Sequence, residues 1–375
     1  MHLLVVNAGS SSLRYSLLQI AGFEPTVHET IAHETIETHG EVDTACREML
    51  ERLRRFPAPD ATGHRVVHGG SSLVEPARID ADVIAAIEAA SRYAPLHNPI
   101  NLEVIEACRN TWPDAAHVAV FDTAFHATLP ERARHYALPD DVVARHGLRR
   151  FGFHGISHEQ LLLDAAAFLG RPADTLNLIT LHLGNGASVT AIRNGRSIDT
   201  SMGMTPAEGL VMGTRSGDVD PGLLAYVARA ENLDGDALDT LVNRRSGLLG
   251  LCGESDMREV RSLALAGNGA AQRAIDVYVY RIRKYIGAFQ AVLGRVDALV
   301  FSGGVGENHP WLVQAVCENL SGVQIAPPAA ESPSLPANLA ANDSEIEVLM
   351  IAADETRSIT RQVLAVLGSG SRRIK

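Results

Sequence analysis

The chain has 375 residues, 46% of them hydrophobic and 21% charged. That is enough apolar material for two domains of ordinary size and too much for a disordered chain. A formal net charge of −11 argues against nucleic acid or an anionic membrane as the main partner, yet leaves room for a local arginine cluster to bind a small anion. Cys46, Cys108, Cys252 and Cys317 are far apart and form no CxxC, so free thiols in a reducing cytosol are expected. The apolar N-terminal run breaks at Asn7 with no basic segment before it, and no apolar run is long enough for a bilayer. The expectation is therefore a soluble, cytoplasmic protein without a signal peptide.

In chain order, Leu3 to Val6 predicts a short buried strand, Asn7 to Ser12 a polar turn, and the alternating stretch from Leu13 to Ile20 a second strand. His33 to Phe56 reads as mostly helical and acidic. GHRVVHGG, residues 63–70, predicts a strand ending in a glycine pair, with Arg65 and His68 near its end. Asp80 is placed to cap a helix with apolar Val83, Ile84, Ile87 and Ala90, which stops before Pro95. Leu96 to Pro99 is a tight connection into a helix from Ile100 to Cys108. His117 to Phe121 is a strand that delivers Asp122 at its carboxyl end, where ligands gather in α/β sheets. A basic and aromatic loop, Arg149 to Gly155, feeds a helix from Ser157 to Leu169. His154 and His158 are four apart, but no HExxH surrounds them, and hydrogen-bonded histidines fit better than a metal pair.

Leu176 to Leu183 and Ala187 to Ile192 predict a hairpin around Gly184-Asn185-Gly186. Bare N–H groups in such a turn suit phosphate, although an ordinary hairpin followed by a surface loop also accounts for these residues. VVNAGSSSLRYSLL and LHLGNGASVTAI share a strand, Asn/Gly/Ser turn and strand, which suggests an internal duplication with a nucleotide held between paired halves, although strand–turn–strand is common enough for a chance match. Arg215 and Asp218 follow in a glycine-rich, strandless loop. Pro221 to Ala230 and Asp236 to Val242 predict helices, Gly247 to Gly253 a loop, and Ala271 to Leu293 the longest amphipathic helix. Val296 to Phe301 is a buried strand. Ser302 to Asn308 is a glycine loop leading into a helix that begins near Pro310, a third candidate anion contact. Ala326 to Asn342 reads as a surface loop and Ile346 to Ile351 as the last strand, after which Asp354 and Glu355 open a C-terminal helix. No GxxxxGK[ST], no GxGxxG after a strand and no GxSxG occurs, which argues against P-loop, Rossmann and nucleophile-elbow chemistry.

Taken together, NAGSSSLRYSLL, HRVVHGG, PLHNP, FDTAFH, RRFGFHGISH, HLGNGAS, DTSMGMTPAEGLVMGTRSGDVDP, SGLLGLCGESDMR and FSGGVGEN closely resemble the acetate kinase family. The resemblance covers nearly the whole chain. It implies an α/β fold of two duplicated actin-like (ribonuclease H-like) lobes with mixed sheets flanked by helices and the active site in the cleft between them. One lobe would take residues 1–126 and 357–375, and the other residues 127–356. It implies reversible transfer of the ATP γ-phosphoryl group to acetate, giving acetyl phosphate and ADP, with Mg²⁺ (Mn²⁺ as a substitute) and a homodimer; propionate or another short carboxylate is the alternative acceptor, and an actin-like ATPase module is the remaining alternative. The acceptor carboxylate is already ionised, so catalysis would rest on positioning and cationic screening.

By the same resemblance, Asp122, His154 and Arg215 are the catalytic candidates, Arg65 holds the carboxylate, and Val67, Leu96, Phe153 and Pro206 line a pocket for the methyl group. Nucleotide contacts fall on Arg14, His182, Leu183, Gly184, Asn185, Gly186, Asp256, Met257, Arg258, Gly304, Val305, Gly306, Glu307 and Asn308. Asn7 and Glu355 would hold Mg²⁺, partly through water. Read without the resemblance, Arg65 and Asp122 also fit a structural ion pair, His154 a core histidine, and Glu355 a favourable charge at a helix N-terminus. Arg14 stands where the family usually has Lys, and Met204 and Met257 where it often has aromatic residues.

Overall fold

The central strand of the first sheet, β1 (His2–Ala8), is apolar on both faces: Leu3 and Val5 point one way, Leu4 and Val6 the other, and all four are buried. Such a strand needs cover on both sides. The structure, a computed structural model, describes residues 1–9, 12–21, 28–38, 41–326 and 333–371. It divides into two compact units, one comprising Met1–Ala127, Phe153–Glu159 and Asp354–Lys375, the other Thr128–Gly152 and Gln160–Ala353.

In the first unit, β1 pairs antiparallel with β2 (Ser12–Ile20), which pairs antiparallel with β3 (His28–Glu37). After α1 (Val42–Leu53) come β4 (Ala61–Val66) and the two-residue β5 (Ala77–Arg78), followed by α2 (Ala81–Ala90), α3 (Asn98–Thr111) and β6 (Ala116–Phe121). The sheet order is β3-β2-β1-β4-β6-β5, with β4 and β6 parallel to β1 and β5 antiparallel at the edge. On one face Leu4, Val6, Leu13, Tyr15 and Leu17 pack against Ala45, Met49 and Leu53 of α1 and Val104 and Cys108 of α3. On the other, Leu3, Val5, Val118 and Val120 pack against Ile359, Val363 and Leu364 of the C-terminal helix Glu355–Ser371.

The second unit begins with two short helices, α4 (Glu131–Arg134) and α5 (Asp140–His146); α6 (Gly155–Leu169) starts in the first unit and ends in the second. Its sheet is built from β7 (Asn177–Leu183), β8 (Ala187–Arg193), β9 (Arg196–Thr200), β10 (Ala298–Ser302), β11 (Ala337–Asn338) and β12 (Glu347–Met350), in the order β11-β12-β10-β7-β8-β9. Read outward from β7, this repeats the first sheet: an antiparallel three-strand meander on one side, two parallel strands on the other, and a two-residue antiparallel edge. Two units with one topology account for the twin hairpins in the sequence. The remaining helices are α7 (Pro221–Ala230), α8 (Gly235–Arg244), α9 (Gly247–Cys252), α10 (Met257–Leu265), α11 (Gly269–Leu293), α12 (Gly303–Asn308) and α13 (Pro310–Cys317), and the C-terminal helix is α14.

Several expectations are corrected. Residues 33–37 are strand, not helix: the HETIAHETIE segment carries β-branched Thr and Ile throughout, and pairing along β2 outweighs its charge, which suits an edge strand. Gly247 to Gly253 is the short helix α9, its glycines serving as a left-handed start and C-cap (φ 65° and 82°). Ser302 to Asn308 is likewise mostly helix α12. Strand β9 and helix α10 are additions that the sequence reading lacks. Of the expected surface loop 326–342, residues 327–332 lie outside the described residues and Ala337–Asn338 form β11. Ser10 and Ser11 of the first polar turn also lie outside them, while Gly9 N donates to Ser12 O at 2.9 Å. Among the described residues no helix is long and apolar enough to cross a membrane.

Candidate active site

Because β1, β4 and β6 are neighbouring parallel strands, residues at their carboxyl ends stand side by side. Asn7 is the last residue but one of β1, Arg65 lies near the end of β4, and Asp122 directly follows β6. Arg65 meets Asp122 with two hydrogen bonds, Nε to Oδ1 at 3.2 Å and Nη2 to Oδ2, and its Nη1 donates to Asn7 Oδ1 at 3.2 Å. Asn7 Nδ2 donates to Glu355 Oε2 at 2.8 Å, bringing the first residue of α14 into the same cluster. Three of the five Arg65 N–H groups are thus engaged, and two remain for an incoming carboxylate. Burial lifts the Asp122 carboxyl above its ordinary range; Arg65 opposes that rise and Glu355 adds to it. The Arg65 charge is disfavoured by burial, but Asp122 and Glu355 more than offset this and hold its affinity for the proton above normal.

The backbone around the cluster is pegged by two asparagines that the sequence reading left without a role. Asn98 exchanges hydrogen bonds with the main chain of His68 (Oδ1 from N at 3.1 Å, Nδ2 to O at 2.9 Å), and Asn101 joins Val67 N (3.1 Å) to Ala8 O (2.8 Å). Both are buried on α3. The only sequence signal is that NPIN puts amides on the apolar side of a helix. Val67 and Phe153 are buried, and Phe153 lies edge-on to His68 at 5.6 Å; Leu96 is 44% exposed in the turn before α3. His154 has φ 56°. Next to it, Gly155 N donates to Asp122 O at 2.8 Å, and a Cβ on Gly155 would lie 2.3 Å from that oxygen, so only glycine lets α6 start against Asp122. Arg14 lies directly across from Asn7 in the β1–β2 pair and is exposed, so the two side chains share a face of the sheet.

The second unit contributes a cavity of about 690 Å³, within the range of small-molecule sites. Of the predicted nucleotide residues, Gly184, Asn185, Asp256, Met257, Arg258, Gly304, Val305 and Asn308 line it. Leu183 belongs to the core, Gly306 is buried against Leu183, and Glu307 accepts a hydrogen bond from Ala353 N at 3.0 Å. His182 and Gly186 are partly buried and do not contribute to the lining. Neither Gly184 nor Gly186 adopts a positive φ; the turn closes through Gly184 N to Gly186 O at 3.0 Å. Asp256 caps α10 through Arg258 N at 2.8 Å, and the Arg258 side chain holds its carboxyl down at about 2. The sequence reading missed Leu248, Ser255, Tyr278 and His309. Tyr278 is buried in this lining, and its hydroxyl has no hydrogen-bond partner among the described residues.

Arg215 sits in the loop after β9. That loop is tied to the hairpin turn by Gly213 N to Asn185 O at 3.0 Å. Among the described residues the Arg215 guanidinium donates hydrogen bonds to Pro206 O (3.4 Å) and Met212 Sδ (3.8 Å) alone, and burial pulls its affinity for the proton down. Among the described residues it faces no carboxylate. A partly buried cation without a counter-ion is a standing site for an anion. No group of three or more His, Cys, Asp or Glu suited to a metal occurs among the described residues. Glu355 offers carboxylate oxygens of the kind Mg²⁺ takes alongside waters and phosphates; Asn7, which here turns Nδ2 to Glu355 and Oδ1 to Arg65, would reach the ion through Oδ1 or a bound water.

The model of the acetokinase family matches residues 27–361. The chain is 45% identical over 392 residues to acetate kinase of Clavibacter sepedonicus, covering 98% of this chain and 99% of the relative. It is 43% identical over 392 residues to acetate kinase of a Sulfurovum species, with the same coverage. Among solved structures, acetate kinase of Porphyromonas gingivalis aligns with a TM-score of 0.90 at 38% identity, over 98% of this chain and 99% of that one. A propionate kinase of Francisella tularensis aligns at 0.86 and 34% identity, over 96% and 98%.

Proposed function

The chain belongs to the acetokinase family, and from that premise we propose that it transfers the γ-phosphoryl group of ATP to the carboxylate of acetate, reversibly, forming acetyl phosphate and ADP. The observation that carries this reading is Arg215, a partly buried guanidinium with no carboxylate partner among the described residues. A dianionic phosphoryl group supplies the missing counter-charge, and more so as charge spreads over its oxygens in the transition state.

In this reading the second unit holds the nucleotide. Met257 and Tyr278 give the base an apolar wall, and the Gly184–Asn185 turn offers main-chain N–H groups to phosphate. The first unit holds the acceptor. The two remaining Arg65 N–H groups take the acetate carboxylate while Asp122 keeps the guanidinium in place. An acetate oxygen attacks the γ-phosphorus, the bond to the β-bridging oxygen breaks, and ADP leaves with that electron pair. His154 and Arg215 neutralise the equatorial oxygens of the phosphoryl group. Asn7 and Glu355 would hold Mg²⁺, partly through water, and the ion would supply screening of phosphate charge. Buried Val67, two residues after Arg65 in the chain, leaves room for little more than a methyl group. One extra methylene costs about 1–3 kcal/mol in such a pocket, so kcat/KM measured by hydroxamate trapping with ATP and Mg²⁺ is expected to be higher for acetate than for propionate. A higher value for propionate overturns the choice of acceptor.

Four free cysteines support a cytoplasmic location. A homodimer is supported by α7 and α8, which bury none of their residues although Leu223 and Tyr226 are apolar and 50% and 67% exposed. Sedimentation as a monomer at micromolar concentration would contradict it.

A further inference from the structure

The loop that carries Arg215 is held at its start by a partly buried polar knot outside the catalytic set. Glu208 receives two hydrogen bonds: Arg150 Nη2 donates to Oε1 and Tyr136 Oη to Oε2. Tyr136 Oη in turn accepts from Met204 N at 2.9 Å. Arg150 Nη1 donates to Ser201 O (3.2 Å) and Met202 O (3.0 Å), and its Nε donates to Ala133 O (3.3 Å). Gly203 lies at the centre, its carbonyl accepting from Phe151 N and Gly152 N, both at 3.1 Å. A Cβ there would lie 1.7 Å from Glu208 Oε2 and 2.2 Å from Tyr136 Oη, so the knot closes only around glycine.

Two features tie this knot to function. Pro206, between Met204 and Glu208 in the chain, supplies the one oxygen that accepts a hydrogen bond from the Arg215 guanidinium among the described residues. Glu208 is the nearest acidic residue before Arg215 in the chain, yet its charge is spent on Arg150, whose side chain is only 16% exposed. Burial first, and then Glu208, push the Tyr136 phenol well above its ordinary range, so it remains protonated and donating. The far end of the loop is fixed separately, by Asp218 bonded to Gly209 N and Tyr285 Oη, each at 2.8 Å.

We propose that Tyr136, Arg150 and Glu208 are positioning residues for phosphoryl transfer, which hold the 203–208 turn so that Pro206 aims the Arg215 guanidinium and Glu208 cannot neutralise it. This rests on the role given to Arg215 above. The three residues act through Arg215, so their loss matters only while Arg215 is present.

The test is a double-mutant cycle on the full chain, using Tyr136→Phe and Glu208→Gln, each alone and combined with Arg215→Ala. Acyl phosphate is trapped as hydroxamate, and folding is followed by circular dichroism. Either single variant is expected to lower kcat roughly 10- to 100-fold, as small misplacements of catalytic groups do. The KM for ATP should stay within about twofold, because nucleotide binding is uniform in ground and transition states. In the Arg215→Ala background the same substitutions should change kcat by less than about twofold. If both single variants keep the wild-type kcat, or if the full loss recurs without Arg215, the inference is wrong. Should Glu208→Gln not fold, Tyr136→Phe, which removes only a hydroxyl, decides alone. Wild-type protein that forms no acyl phosphate overturns the proposed function and this inference with it; active wild-type protein with multiplicative losses overturns this inference alone.

Discussion

Replacing Arg215 by Ala separates a group kept for chemistry from one kept for the fold. The native side chain makes one long hydrogen bond, to Pro206 O at 3.4 Å, and a sulfur contact at 3.8 Å, with no ion pair among the described residues. One neutral hydrogen bond is worth about 1 kcal/mol net. Removing a partly desolvated charge returns a similar amount, so stability should change by no more than about 1 kcal/mol, or a melting shift of a few degrees at most. Transition-state arginines in phosphoryl transfer contribute about 10³-fold or more, which corresponds to about 4 kcal/mol. Arg215→Ala is therefore expected to melt with the wild type and to lose about three orders of magnitude in kcat. Arg215→Lys, which keeps the charge but loses the planar fork, should fall between them. Hydroxamate formation and thermal melting on the same preparations measure both quantities. Full activity in Arg215→Ala, or a melting point lowered by more than about 10 °C, would refute the reasoning.

The opposite balance is expected at Arg65. Arg65→Ala strands Asp122, a carboxylate that is 1% exposed, and breaking a buried pair costs about 3–5 kcal/mol; denaturant unfolding should show that loss, with a raised KM for acetate. Adding Asp122→Asn should restore much of the stability and none of the acetate affinity, and a change confined to the KM for ATP would count against the assignment. Chelating Mg²⁺ should abolish turnover and leave the melting point unchanged, because Asn7 and Glu355 are already hydrogen-bonded to each other without it; a large fall in melting temperature would assign the pair a metal-dependent structural role instead. Buried His64 donates to His117 Nδ1 at 3.2 Å, because His117 Nε2 is committed to Trp112 O. Burial first, then His117, hold the His64 imidazole down at about 3. The unfolded chain takes up that proton near pH 6.5, so this contribution is complete above about pH 6.5 and is lost as pH falls toward 3. His64→Gln should flatten the dependence of the unfolding midpoint between pH 7 and pH 5, and an unchanged slope would refute it.

The parts of the fold that could be read from the sequence are those in which local pattern and tertiary environment agree. The two hairpins, β1–β2 and β7–β8, alternate or run apolar as buried strands do, and their shared form anticipated two sheets of one topology. Asn7, Arg65 and Asp122 were legible as strand-end residues, because parallel strands gather such positions whatever lies between them. Glycine misled the reading at α9 and α12, where it starts or caps a helix rather than interrupting one. β3 was missed because an edge strand can be as charged as a surface helix. Asn98, Asn101 and the Tyr136–Arg150–Glu208 knot were illegible for a different reason: a polar residue buried to hold a backbone looks, in sequence, like one left in water. In the cavity of the second unit the lining glycines and charged residues stand out in sequence, whereas Leu248 and Tyr278 resemble core.

The most direct measurement is a ³¹P NMR time course of the purified protein with ATP, Mg²⁺ and acetate. An acyl phosphate resonance that grows in step with ADP is the predicted result. ADP accumulating with inorganic phosphate alone, at the same rate with and without acetate, would identify an ATPase and contradict the account.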